Sequence, residues 1–181
     1  MSPERPFDTL VFDTMCISHF AIIERLDVLG DLLSDYDCYT TTVVREEIKQ
    51  GAAKNPHADT ALELLWLKVA PSSGVEDLRV FTKWLRRVGH KGRGAGEASV
   101  FAFAESCDGI AITDDREATR VARNYGMRVH GTVWLLAQFC RADRLPPVAA
   151  GTLVDMLRDS GMRLPCTGAD FEDYVRKHGL L

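Results

Sequence analysis

A chain of 181 residues, 46% apolar and 27% charged, can bury a core as one domain without disulfide or metal staples. Its net charge of −4 excludes a general nucleic-acid coat, which needs a basic surplus, but not a nuclease whose own centre is acidic. The longest apolar runs, such as "TVWLLA", are too short for a membrane span, "MSPERPFD" shows no leader pattern, and five scattered cysteines read as reduced thiols, so a cytoplasmic protein is expected.

In chain order, "DTLVF" (8–12) reads as a buried strand ending at Asp13. "CISHFAIIERL" and "DVLGDLLSD" follow as helices, and "CYTTTVV" starts as a strand before passing into the helix "VVREEIKQG" with Gly51 as its stop. "HADTALELLWL" predicts a helix, "LKVAP" a short strand, and "VEDLRVFTKWLRRVG" a helix with Leu78, Phe81 and Leu85 along one side. Then come the helix "GAGEASVFAFAESC", the strand "GIAIT", the helix "DREATRVARNYG", the strand "MRVHG" and the helix "TVWLLAQFCRA". Beyond "LPP", two amphipathic helices are expected, with Phe171, Tyr174 and Val175 sharing a face in the second.

Strands alternating with helices predict an α/β domain over 1–145 with a mainly parallel sheet, and a helical extension over 146–181 packed on the same domain. Right-handed crossovers place all strand carboxyl ends on one edge, where open α/β sheets bind ligands. Asp13 and the pair Asp114 and Asp115 follow strands directly and are expected on that edge.

Other acids stand on helix faces meant for the core. Glu97 heads the stripe of Val100, Phe101 and Ala104, and Glu47 lies beside Val43, Val44 and Ile48, whereas Glu46 points to water with Lys49 and Gln50. Asp115 heads the stripe of Ala118, Val121, Ala122 and Tyr125. Asp114 reads as the N-cap of its helix, with Glu117 completing a capping box.

Singly, each acid has an ordinary explanation: Asp13 as a turn residue, Glu47 and Glu97 as glutamates reaching the surface, Asp115 as a first-turn acid. Together they need a counter-charge, because two carboxylates about 4 Å apart repel by roughly 4 kcal/mol at an effective dielectric near 20. A hard divalent ion with oxygen ligands, Mg²⁺ or Mn²⁺, meets that need. It also polarises phosphate and lowers the pKa of bound water. The five histidines show no ligand spacing.

These residues resemble the PIN domain, the metal-dependent nuclease fold of VapC-type toxins in toxin–antitoxin pairs. "LVFDT" matches its opening strand and acid, "VVREEI" its second acid, and "GEA" at 96–98 a branch with glutamate where most members carry aspartate. "ITDDR" supplies the fourth acid, and "MRVHGT" the strand and glycine that follow in that branch. The resemblance covers about residues 7 to 140. It implies an RNA-cleaving hydrolase, often a homodimer and often silenced by an antitoxin protein. On that reading Asp13, Glu97 and Asp115 hold the metal, and Glu47 holds a metal-bound water or second ion. Thr14, Thr113 and Asp114 support the carboxylates, and Lys83, Arg86, Arg87, Lys91 and Arg93 guide the RNA backbone toward the Glu97 helix.

Two rivals stand beside it. One is a silent PIN-like module that binds RNA or protein without cutting. The other is an aspartate-nucleophile phosphatase, suggested by "VFDT" but opposed by Met15, where that chemistry needs a second aspartate.

Overall fold

Four residues, Thr9–Phe12, form β1, and the apolar run Leu10, Val11 and Phe12 is wholly buried, as a middle strand covered on both faces requires. β1 pairs with β2 (Asp37–Thr40) on one side and β4 (Ile110–Ile112) on the other. Outside these lie β3 (Leu67–Val69) and β5 (Val129–His130), giving a five-stranded sheet in the order β3-β2-β1-β4-β5 with every pair parallel. The computed structural model describes residues 9–52, 56–71, 74–89 and 94–181.

The chain fills one half of the sheet through β3, then crosses back to lay β4 against β1. The carboxyl ends of β1 and β4 therefore flank the point where strand order reverses, the position at which open parallel sheets present a crevice. The register sets the two ends level: Phe12 lies opposite Ile112, and the Asp13 amide donates to the Ile112 carbonyl at 3.0 Å.

Helix α1 (Thr14–Ile22) starts straight from Asp13, and α2 (Leu26–Leu32) follows it. α3 (Thr42–Ala52) springs from the end of β2 and runs through Gly51, which the sequence marked as its stop. The segment Pro56–Glu63 is a 3-10 helix rather than the longer helix expected from "HADTALELLWL".

α4 (Val75–Val88) packs on α5 (Ala95–Ser106), which lies against β1 and β4. On α4 the fully buried side chain is Trp84, while Leu78, on the side shared with Phe81 and Leu85, is exposed. The Trp84 indole packs against the Phe101 ring, with centroids 5.3 Å apart.

α6 (Arg116–Asn124) leads to β5 and α7 (Thr132–Arg141) leaves it. α8 (Pro147–Asp159) and α9 (Phe171–Lys177) pack on α7 and on each other. Leu153, Val154, Leu157, Phe171 and Val175 from these last helices join the same apolar core as the sheet. All five cysteines are free; four are buried, and Cys107 is exposed. No described helix is long and apolar enough to cross a membrane.

Candidate active site

Asp13 ends β1, acts as N-terminal residue of α1 in extended conformation, and is only 4% exposed. A carboxylate so deep needs partners. The Thr113 hydroxyl, from the end of β4, donates to Asp13 Oδ2 at 3.0 Å. Burial first, then the Glu97 carboxylate, push the Asp13 carboxyl up to about 7, and Glu47 adds to the rise. The Thr14 amide and the Thr113 hydroxyl act in the opposite direction.

Glu97 sits in the first turn of α5 and is half-buried. Burial raises its carboxyl, and the Asp115 and Glu47 carboxylates raise it further; its own backbone N–H partly offsets this. Glu47 on α3 accepts the Thr14 hydroxyl at Oε2, 2.7 Å away. Its carboxylate lies flat against Gly96, where a Cβ would overlap both oxygens. Three distant sequence motifs thus meet: the strand end of β1, the middle of α3 and the start of α5. Glu46, one residue from Glu47, pairs with Lys49 at the surface as its position on the helix predicted.

The neighbouring aspartates divide their work differently from the expectation. Asp115, not Asp114, is the N-cap of α6, its Oδ1 accepting from the Ala118 amide at 2.7 Å. Its own amide donates to Thr113 Oγ1 at 3.3 Å. Asp114 turns to the next helix, accepting the Thr132 hydroxyl at 2.6 Å and the Thr132 amide at 2.9 Å. It therefore caps α7 across a gap that local sequence cannot reveal, and Gly131 leaves room for its oxygen. Glu117 completes no capping box; it pairs with Arg120.

Asp13, Glu47, Glu97 and Asp115 are thus electrostatic neighbours at the carboxyl edge, and among the described residues no cation acts on Asp13 or Glu97. All-oxygen carboxylate donors that raise one another's pKa suit Mg²⁺ or Mn²⁺. They are not a preassembled ligand set, however. Among the described residues no group of three acid, histidine or cysteine side chains is already arranged around one ion position. Each acid is instead satisfied locally: Glu97 by its own amide, Glu47 by Thr14, Asp115 by Ala118. Like charges without a counter-charge settle on nearby donors.

Of the expected RNA guide, Lys83 and Arg87 lie away from the acids. Lys83 is paired with Glu105, which also accepts the Trp84 indole N–H at 2.6 Å. The Arg87 guanidinium stacks 3.7 Å from the Tyr125 ring centroid and 4.8 Å from that of Trp84. Both line a cleft with Gly109 and Met127, which lead into β4 and β5, so they face the amino edge of the sheet, opposite the acids. Arg86 is exposed on the same helix, and Lys91 and Arg93 lie outside the described residues. Sequence adjacency misled because Lys83 and Trp84 pack beside the last turn of α5, where Glu105 binds both.

A basic groove that sequence reading missed does adjoin the acids. It is lined by Thr113, Arg116, Arg120, Arg123 and Arg163. The signal was present as arginines at i, i+4 and i+7 on α6, but Arg163 joins them only through the tertiary fold.

A family model described as a PIN domain (DUF3368) matches residues 9–169. The solved structure of VapBC-1 from nontypeable Haemophilus influenzae is similar at 18% identity and a TM-score of 0.48, covering 68% of this chain and 97% of that one. No curated protein matches the chain in sequence.

Proposed function

The chain belongs to the PIN-domain family, and from that premise we propose that it is a metal-dependent ribonuclease, the toxin of a toxin–antitoxin pair. The observation that carries the reading is Asp13: a buried carboxyl at the strand-order reversal, driven up to about 7 by burial and by Glu97 and Glu47, with no described cation to balance them. Ordinary folding offers no reason to collect such charge in one place.

Asp13, Glu97 and Asp115 would hold a Mg²⁺ or Mn²⁺ ion, and Glu47 would orient water beside it. Bound there, the ion supplies charge for the scissile phosphate and a more acidic water. The protein's own part is positioning. Thr113 holds Asp13 from one side and takes the Asp115 amide from the other, so one hydroxyl links two of the acids. Thr14 fixes Glu47 in the same way. The toxin assignment, an inhibiting antitoxin, a homodimer and a cytoplasmic site of action rest on the resemblance of the four acid motifs to the "GEA" branch of toxins.

The test is cleavage of a single-stranded RNA by purified protein with Mg²⁺ or Mn²⁺ present or chelated. Activity that needs the ion and disappears in Asp13→Asn, with folding intact, supports the reading; undiminished cleavage by that variant removes it. A second reading, a silent RNA- or protein-binding module, is favoured by the lack of any three converging ligands among the described residues. Calorimetric titration separates the two, since the silent module shows no Mn²⁺ binding dependent on Asp13.

A further inference from the structure

We infer that the arginine-lined groove beside the acids, built by α6 and the segment between α8 and α9, is the seat of a single-stranded RNA backbone that flanks the scissile phosphate. The proposal rests on the ribonuclease reading above and gives that site a substrate track that the α4 basic run does not provide.

The groove holds about 470 Å³, within the range of ligand-sized clefts. Arg116, Arg120 and Arg123 project along one face of α6, and Arg163 approaches from the opposite wall. Arg116 and Arg163 are exposed and make no ion pair or hydrogen bond among the described residues. Arg120 pairs with Glu117 at the surface, an exchangeable contact of little worth in water. Arg123 donates one guanidinium N–H to the Val129 carbonyl at 3.1 Å, which leaves its remaining donors for another acceptor.

In a chain of net charge −4, this concentration of guanidinium groups is a local reversal of sign. Planar forks of this kind match phosphate oxygens in pairs. The acid on the groove wall, Asp114, is turned to Thr132 and forms no ion pair with these arginines among the described residues. Thr113 lines the same groove while its hydroxyl bonds Asp13, so a strand lying there runs directly past the acids.

Tyr174, stacked on His178 with centroids 4.1 Å apart, adds an aromatic wall. Cationic side chains interleaved with an aromatic ring suit an unpaired strand, whose phosphates and base faces are both accessible. The helices after residue 146 would then serve the substrate as well as the core.

The test measures anisotropy of a fluorescent single-stranded RNA against full-length Asp13→Asn protein over a salt series, with and without the further change Arg116→Ala/Arg163→Ala. The double change is expected to weaken binding at least tenfold at low salt. It should also flatten the slope of log K against log salt by about 1.4, roughly 0.7 for each phosphate left without its arginine. The conservative Arg116→Lys/Arg163→Lys change should keep the slope, and Arg79→Ala, an exposed α4 arginine paired with Glu76 outside the groove, should change neither quantity. In chains that retain Asp13, Arg116→Ala/Arg163→Ala should raise KM with kcat little altered. If the alanine pair folds poorly by circular dichroism, Arg116→Gln and Arg163→Gln singly are each expected to produce about half of that slope change, roughly 0.7. An unaltered salt slope overturns the groove assignment even where the unmodified protein cleaves RNA, and equal affinity for duplex RNA overturns the single-strand part. Conversely, arginine-dependent binding without any metal-dependent cleavage supports the groove and defeats the nuclease reading instead.

Discussion

Thr113 and Asp13, one hundred residues apart in sequence, are joined by a 3.0 Å hydrogen bond from hydroxyl to carboxylate at the level carboxyl ends of β4 and β1. The bond favours the ionised form of a carboxyl that burial and Glu97 drive up to about 7. Thr113→Val is therefore expected to push Asp13 higher still. The acid limb of the pH–rate profile should move toward alkaline pH. Below the limb, the rate should fall about tenfold for every pH unit the limb travels, with little change above it. A limb that stays in place would show that Asp13 is not the group titrating.

Stability should carry the same signature with a definite sign. Asp13 takes up its proton more readily in the folded chain, where its pKa is about 7, than in the unfolded one near 3.8. Below about pH 4 both states are protonated and the group costs nothing. As pH rises from about 4 to 7, the unfolded chain ionises this carboxyl while the folded one keeps its proton, and the fold loses on the order of a few kcal/mol. In metal-free buffer the melting temperature should fall across that window, and Asp13→Asn should flatten the fall. A thermal-melt series with chelator checks it; parallel profiles in the two proteins would contradict the buried charge.

Divalent ions should reverse that cost. Mn²⁺ at a hundredfold excess over its dissociation constant adds about 2.7 kcal/mol to a protein that binds it only when folded. For a chain of this size that corresponds to a rise on the order of 5–10 °C in Tm. The rise should vanish in Asp13→Asn and shrink strongly in Glu97→Gln, as scanning calorimetry would record.

Gly96 and Glu47 form a close fit with a separate consequence. In an exposed helix Gly→Ala commonly stabilises by about 1 kcal/mol. At position 96 the added methyl meets the Glu47 carboxylate and displaces it from Thr14. Gly96→Ala should thus lose at least tenfold in RNA cleavage with little change in Tm, and Thr14→Val should mimic it. Full activity in both variants would remove Glu47 from the site.

The adjacent aspartates should separate cleanly. Asp114→Ala removes the cap of α7 and strands the buried Thr132 hydroxyl, a loss of about 1–2 kcal/mol in stability with cleavage largely kept. Asp115→Ala also loses a cap, on α6, but should abolish cleavage as well. Denaturant melts and RNA cleavage assays on the two variants decide it, and equal activity in both would show Asp115 to be a cap alone.

What the sequence determined by itself is what repeats along the chain. Unbroken apolar runs at 10–12 and 110–112 marked central parallel strands, and the acids ending them could only lie at one edge. Helical periodicity put Glu47 and Glu97 on inward faces, because a residue's neighbours three and four positions away share its side of a helix. Tertiary structure decided everything that depends on partners far along the chain. Thr132 claims Asp114 and leaves the α6 cap to Asp115, Glu105 takes Lys83, and Arg163 completes the groove on α6. Periodicity reports which way a side chain faces. What it meets there depends on how distant segments pack, and that is why the acids were legible while their donors and the arginine groove were not.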